Sequence, residues 1–182
     1  MPHRSRLNGS GPDHWQTRWQ ECRDDCVRVE LGDWESPTRT GWIAAIESSV
    51  AHAAAPVVLV GHSLGCLAIM WWAAQAVPAQ QAKVVGAMLV APPDVGQQGC
   101  DLRLLRFAPR PPGPLPFPAL LVASANDPYA SRARRMAQDL GATFVDIGEA
   151  GHINAASSLD DWPQGQALLA HLIGNPRNGR VA

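Results

Sequence analysis

Pro56-Val57-Val58-Leu59-Val60 runs into Gly61-His62-Ser63-Leu64-Gly65, and Cys66-Leu67-Ala68-Ile69-Met70-Trp71-Trp72-Ala73-Ala74 runs out of it. The first stretch is a continuous apolar run rich in β-branched residues, as expected of a strand buried on both faces. The last is apolar almost all round, which predicts a central, buried helix over Leu64–Val77. Between them lies G-x-S-x-G. The five-residue pattern is weak alone, because it arises by chance. Set between an apolar strand and an apolar helix, it reads as a tight strand-to-helix turn with a serine at its tip. Gly61 and Gly65 are expected to leave room where a side chain would clash. Such a turn pushes Ser63 out at the carboxyl edge of a sheet and at a helix N-terminus. There the free N–H groups and the positive dipole end can meet a developing oxyanion. The backbone N–H of Leu64 is the natural first donor. A serine in this place can also do no more than cap the helix.

Outward from this turn, short apolar runs alternate with helical stretches. Strands are predicted at Cys26–Leu31, Val84–Val90, Ala119–Ala123 and Thr143–Ile147. Helices are predicted at Thr38–Ala54, Tyr129–Leu140 and Asp161–Ile173, the second closed by Gly141. Strands alternating with helices imply crossover connections and a mostly parallel sheet. Pro92–Pro118 is too long for an ordinary connection and is expected to pack over the rim of the sheet. At 182 residues the chain has the length of one domain, 1–182, with no room for a large cap.

Composition narrows the function classes. Lys+Arg is 15 against Asp+Glu 16, a net charge of −1, so no basic face for nucleic acid or an anionic membrane is expected. Hydrophobic residues at 46% with charged residues at 17% indicate a folded chain, not a disordered one. The N-terminal MPHRSRLNGSG holds no apolar run of the signal-peptide kind. The longest apolar stretch, Leu64–Ala74, is far short of the ~20 residues a membrane span needs. Four cysteines without a secretory signal are expected to be free thiols in a reducing cytoplasm. Cys22 and Cys26 are spaced to face each other one helical turn apart, but no second Cys or His pair at zinc spacing follows. No metal site is expected.

A serine hydroxyl needs a base to take its proton, and histidine is the usual one. His152 follows the last predicted strand in Gly148-Glu149-Ala150-Gly151-His152-Ile153-Asn154, a loop at the same sheet edge as Ser63. His52 and His171 fall in helices, and His3 in the polar start. His62 adjoins Ser63 at a sharp turn, where neighbours point apart. His14 lies in a Gly-rich loop and is open to a structural or rim role. For the acid, the order in α/β-hydrolases is Ser, then Asp or Glu, then His. Asp94 and Asp127 both follow strands at the correct edge. Asp127, in Ser124-Ala125-Asn126-Asp127-Pro128, lies two strands past the serine and is the favoured acid. It can also serve only as a turn residue before Pro128.

Taken together, Ser10–Trp19 (SGPDHWQTRW), Asp33-Trp34 with Pro37 and Trp42, GHSLG, Leu115–Asp127 (LPFPALLVASAND), and GHIN with Trp162-Pro163 and Gly165 resemble the YdeN-type small serine hydrolases of the α/β-hydrolase superfamily. The resemblance covers nearly the whole chain. It implies a three-layer α/β-hydrolase fold without a cap domain and a triad of Ser63, Asp127 and His152. It further implies hydrolysis of a small acyl ester, with no metal or organic cofactor. By the family pattern the second oxyanion donor is the backbone N–H of Leu7. A short apolar strand ending in Pro-Gly precedes that loop in the family, whereas Met1–Arg6 here is polar, with Ser5-Arg6 in its place. The N-terminal strand is therefore expected to be missing from this chain and encoded upstream of Met1. Trp34, Phe107 and Trp162, with Leu115 and Phe117, are candidates to wall the acyl pocket, or ordinary packing residues. A binding or regulatory protein that keeps the fold without turnover, and an acyltransferase or thioesterase using the same triad, are the alternatives.

Overall fold

The computed structural model describes residues 10–96 and 100–174. Four parallel strands form its sheet in the order β1 (Val57–His62), β2 (Val84–Val90), β3 (Ala119–Ala123), β4 (Thr143–Asp146). The ladder is in register from His62 opposite Val90, through Val90 opposite Val122, to Ala123 opposite Asp146. All four carboxyl ends therefore lie along one edge. The helices are α1 (Trp15–Cys22), α2 (Arg39–His52), α3 (Leu64–Gln75), α4 (Pro78–Gln81), α5 (Leu102–Leu105), α6 (Ala133–Leu140) and α7 (Pro163–Gly174), with a 3₁₀ turn at Ala155–Ser157.

Side chains of a strand alternate between faces, and two cores follow from that. Ala87 and Leu89 of β2, with Ala119, Leu121 and Ala123 of β3, face α2, α3 and α6. Met88 and Val90, with Leu120 and Val122, face α1 and α7 and the tryptophans Trp15, Trp19 and Trp162. The result is three layers, helix on sheet on helix. α3 is buried along eight of its residues, Leu64 to Ala73, as its all-round apolar sequence requires.

Several expectations change in the folded chain. Cys26–Leu31 is not a strand: it finds no ladder partner among the described residues, and Arg28 turns to α1 instead, at 2.6 Å from Gln20 Oε1 and 3.0 Å from Thr17 Oγ1. Alternating polarity marks a face, but a strand also needs a hydrogen-bonding neighbour. Helix α6 begins at Ala133, not Tyr129. The Tyr129 carbonyl accepts from Asp94 N–H, where a first helical turn would direct it to a later N–H of its own helix. The supposed Gly-rich loop at His14 is the start of α1, whose end at Cys22 leaves Cys26 outside the helix. Pro92–Pro118 does more than cross the rim: it carries α5 and sends Phe107 into the core. The expected missing strand at Met1–Arg6, and Leu7 with it, lies outside the described residues. No described helix is long and apolar enough to cross a membrane.

Candidate active site

The turn after β1 is as tight as its glycine pattern demands. Ser63 sits at φ 51°, ψ −121°, a conformation L-residues rarely adopt. Its N–H donates to the Val90 carbonyl at 2.9 Å, tying the turn to β2. A Cβ on Gly61 would lie 2.7 Å from Ile69 Cδ1 and 3.0 Å from the Cys66 nitrogen, so glycine is required there. Gly65 differs from expectation, since nothing described lies within 4 Å of its Cβ position. Ser63 does not cap α3 with its side chain. Its hydroxyl meets His152 Nε2 at 2.9 Å.

His152 Nδ1 lies 2.9 Å from Asp127 Oδ2 and 3.0 Å from Oδ1. A carboxylate can only accept, so the proton sits on Nδ1 and leaves Nε2 to accept from the serine. The Asp127 side chain is wholly buried and also accepts from Tyr129 N–H at 2.9 Å. Asp94 is engaged elsewhere, with Gly96 N–H, Ser131 Oγ and Arg132. Leu64 supplies the first N–H of α3, which an α-helix leaves without an internal partner. Ser63, Asp127 and His152 thus converge from the carboxyl ends of β1, β3 and β4.

The loop carrying His152 is held by Ser124 and Asn126, for which the sequence offers no site signal of their own. Ser124 Oγ accepts from Ala150 N–H at 2.8 Å and donates to Asn126 Oδ1, which accepts from Gly151 N–H at 2.7 Å. Two further histidines stand behind His152. His62 lies with its ring centroid 5.0 Å from that of His152, and His14 lies 4.8 Å from His62. Burial, with the neighbouring Arg28 charge and His152 adding to it, pushes the His14 imidazole down to about 4. Burial likewise pushes His62 well below the ordinary histidine value. The signal for both was present in the HW and GHS motifs, but neither spacing reveals a shared neighbour.

The proposed pocket walls fall apart spatially. Phe107 is 0% exposed and packs on Trp42 in one core, while Trp162 is 2% exposed and packs on Trp15 in the other. They lie on opposite faces of the sheet and cannot line one cavity. Phe117 is also buried in the first core, with Leu115 packed against it. Trp34 is half-buried against Trp42 and borders a polar groove of about 250 Å³ with Ser10, Thr17, Gln20, Arg28, Val29 and Glu30, apart from the triad. No cluster of His, Cys, Asp or Glu able to hold a metal ion occurs among the described residues.

A strained serine after a buried parallel strand, with its histidine and aspartate on later strand ends, defines a hydrolase of the α/β type. The chain belongs to the serine hydrolase family, whose model matches residues 6–171. It is similar to a YdeN-like hydrolase from Pectobacterium atrosepticum, at 34% identity and a TM-score of 0.77 over 91% of this chain and 85% of that one. The ydeN product of Bacillus subtilis shares the fold at 18% identity, with a TM-score of 0.69 over 91% and 94%. The type II thioesterase BorB of the borrelidin cluster does so at 19%, with a TM-score of 0.51 over 77% and 71%. No curated protein sequence matches the chain.

Proposed function

We propose that this hydrolase cleaves a small acyl ester through an acyl-enzyme on Ser63. The observation that carries the reading is the unbroken chain of contacts from Asp127 to His152 Nδ1 and from His152 Nε2 to Ser63 Oγ, both 2.9 Å. Ser63 Oγ attacks the ester carbonyl while His152 takes its proton. Asp127 holds the tautomer and stabilises the imidazolium. The Leu64 N–H, at the positive end of α3, receives the oxyanion. His152 then returns the proton to the departing alcohol. Water, deprotonated by His152, attacks the acyl carbon, and the carboxylic acid leaves as Ser63 recovers its proton. By the family pattern the Leu7 N–H is the second oxyanion donor. The chain's near-neutral charge favours a small-molecule substrate over nucleic acid or a membrane surface.

A fluorophosphonate probe should label the wild-type chain at Ser63 and leave a folded Ser63→Ala variant unlabelled. Hydrolysis of p-nitrophenyl acetate should disappear in the same variant. A wild-type protein that folds but neither labels nor hydrolyses would overturn the proposal in favour of a binding protein.

A further inference from the structure

The backbone on both sides of His152 is left-handed, at ease in Gly151 and strained in Ile153. Gly151 has φ +56° and Ile153 has φ +50°. A β-branched residue at positive φ costs of order 1–3 kcal/mol and persists only where its surroundings enforce it. The direction of the His152 ring depends on that backbone. The two peptide carbonyls that flank the strained Cα of Ile153 are each held by a ring N–H. The His152 carbonyl lies 2.8 Å from His62 Nε2, and a carbonyl can only accept, so His62 carries its proton on Nε2. The Ile153 carbonyl accepts from Trp15 Nε1–H at 2.9 Å.

The two donors are themselves braced. Trp15 is 1% exposed and sits edge-on to the His62 ring at 6.2 Å. His14 caps α1, with its Nδ1 accepting from Gln16 N–H, and packs against both His62 and Trp15. The HW pair of the N-terminal motif and the variable position of the serine motif thus meet at one place, beneath the catalytic histidine. Neither pair of contacts touches Ser63 Oγ or the oxyanion position.

Resting on the hydrolase reading above, we infer that His62 and Trp15 are positioning residues: their ring N–H groups clamp the His152 and Ile153 carbonyls, hold the strained loop, and so aim His152 Nε2 at Ser63. The clamp acts on the chemical step and not on substrate binding. A misplacement of about 1 Å at a reacting group can cost ~10²-fold in rate.

The test separates the donor from the bulk of the ring. His62→Phe keeps an aromatic ring and removes the N–H. His62→Gln places an amide N–H the same number of bonds from Cβ as imidazole Nε2. Trp15→Phe keeps an aromatic ring on the second donor's site and removes its N–H. On p-nitrophenyl acetate, His62→Phe should lower kcat by ~10²-fold with KM within about twofold. His62→Gln should recover most of that loss, and Trp15→Phe should lose kcat in the same manner. Amide hydrogen exchange over 148–154 should quicken in His62→Phe and Trp15→Phe and return toward wild type in His62→Gln. Exchange reads the clamp without turnover, so an inactive wild type would sink the hydrolase reading and still leave the clamp measured. Equal kcat in His62→Phe and His62→Gln, or loop exchange unchanged in His62→Phe and Trp15→Phe, would overturn the inference. Should His62→Phe not fold, Trp15→Phe against wild type decides by the same two readouts.

Discussion

Replacing His14 by asparagine should make the protein more resistant to acid. The His14 imidazole is 5% exposed and its Nδ1 accepts the Gln16 N–H at the start of α1, a bond only the neutral ring can make. Its folded value lies at about 4, against 6.5 for a free ring. The sign follows from linkage. Above pH 6.5 the ring is neutral in both states and contributes no pH dependence. Below that value the unfolded chain takes up a proton that the folded chain refuses. Stability therefore falls as pH drops from about 6.5 to about 4, and the loss is complete below that. At 1.36 kcal/mol per unit, the gap amounts to about 3 kcal/mol, and most of it should be expressed at pH 4.5. That is a large share of the roughly 5–15 kcal/mol that holds a domain together. Asparagine keeps a cap acceptor for Gln16 and cannot titrate. Urea melts of wild type and His14→Asn at pH 7.5 and 4.5 give the answer as a difference of differences, in which groups remote from His14 cancel. Wild type should lose about 2–3 kcal/mol more than the variant. Equal losses to within about 0.5 kcal/mol would refute the claim that burial keeps this ring neutral.

Three other substitutions probe the site and its frame. Asp127→Asn should leave the melting temperature nearly unchanged while lowering kcat by roughly 10⁴-fold, since the tautomer of His152 is no longer enforced; Asp94→Asn should be close to silent, and the reverse pattern would reassign the acid. Gly165→Ala should destabilise the fold by about 1–3 kcal/mol in chemical denaturation, because a Cβ there would overlap Cε3, Cδ2 and Cε2 of the Trp162 indole, a ring closed in by Trp15 and Trp19; a loss under about 0.5 kcal/mol would show that the ring can yield.

The strands at Val84–Val90 and Ala119–Ala123 were legible to the residue, because a strand buried on both faces writes itself as an unbroken apolar run. The serine turn was legible for the same reason, with Gly61 marking where the helix approaches the strand. What failed shares a physical cause: each feature depends on a distant partner. Cys26–Leu31 alternates like a strand, yet pairing is a property of two segments. Helix α1 is silent in the sequence because its cap is an imidazole nitrogen, outside the usual Ser, Thr, Asp and Asn signal. The start of α6 moved because Asp94, far back in the chain, holds the Tyr129 carbonyl. Phe107 and Trp162 were recognisable as large apolar groups, but no local pattern says which face of the sheet each one covers. His62 carries no local sign of its role, because its partner, His152, is 90 residues on.

Cys66 lies directly under the serine turn, with its thiol donating toward the Gly61 and Val90 carbonyls at 3.2 and 3.3 Å. It is wholly buried, and burial pushes its ionisation far above that of an ordinary thiol. Thiolate, the form that reacts, is thus suppressed as long as α3 rests on β1. Cys22 is exposed, and Cys26 and Cys100 are partly so. An alkylating reagent will therefore count these thiols in the folded chain and wait for the fourth. The waiting time is a clock for how often the floor of the active site opens, readable by mass from the native sequence with no cysteine engineered in.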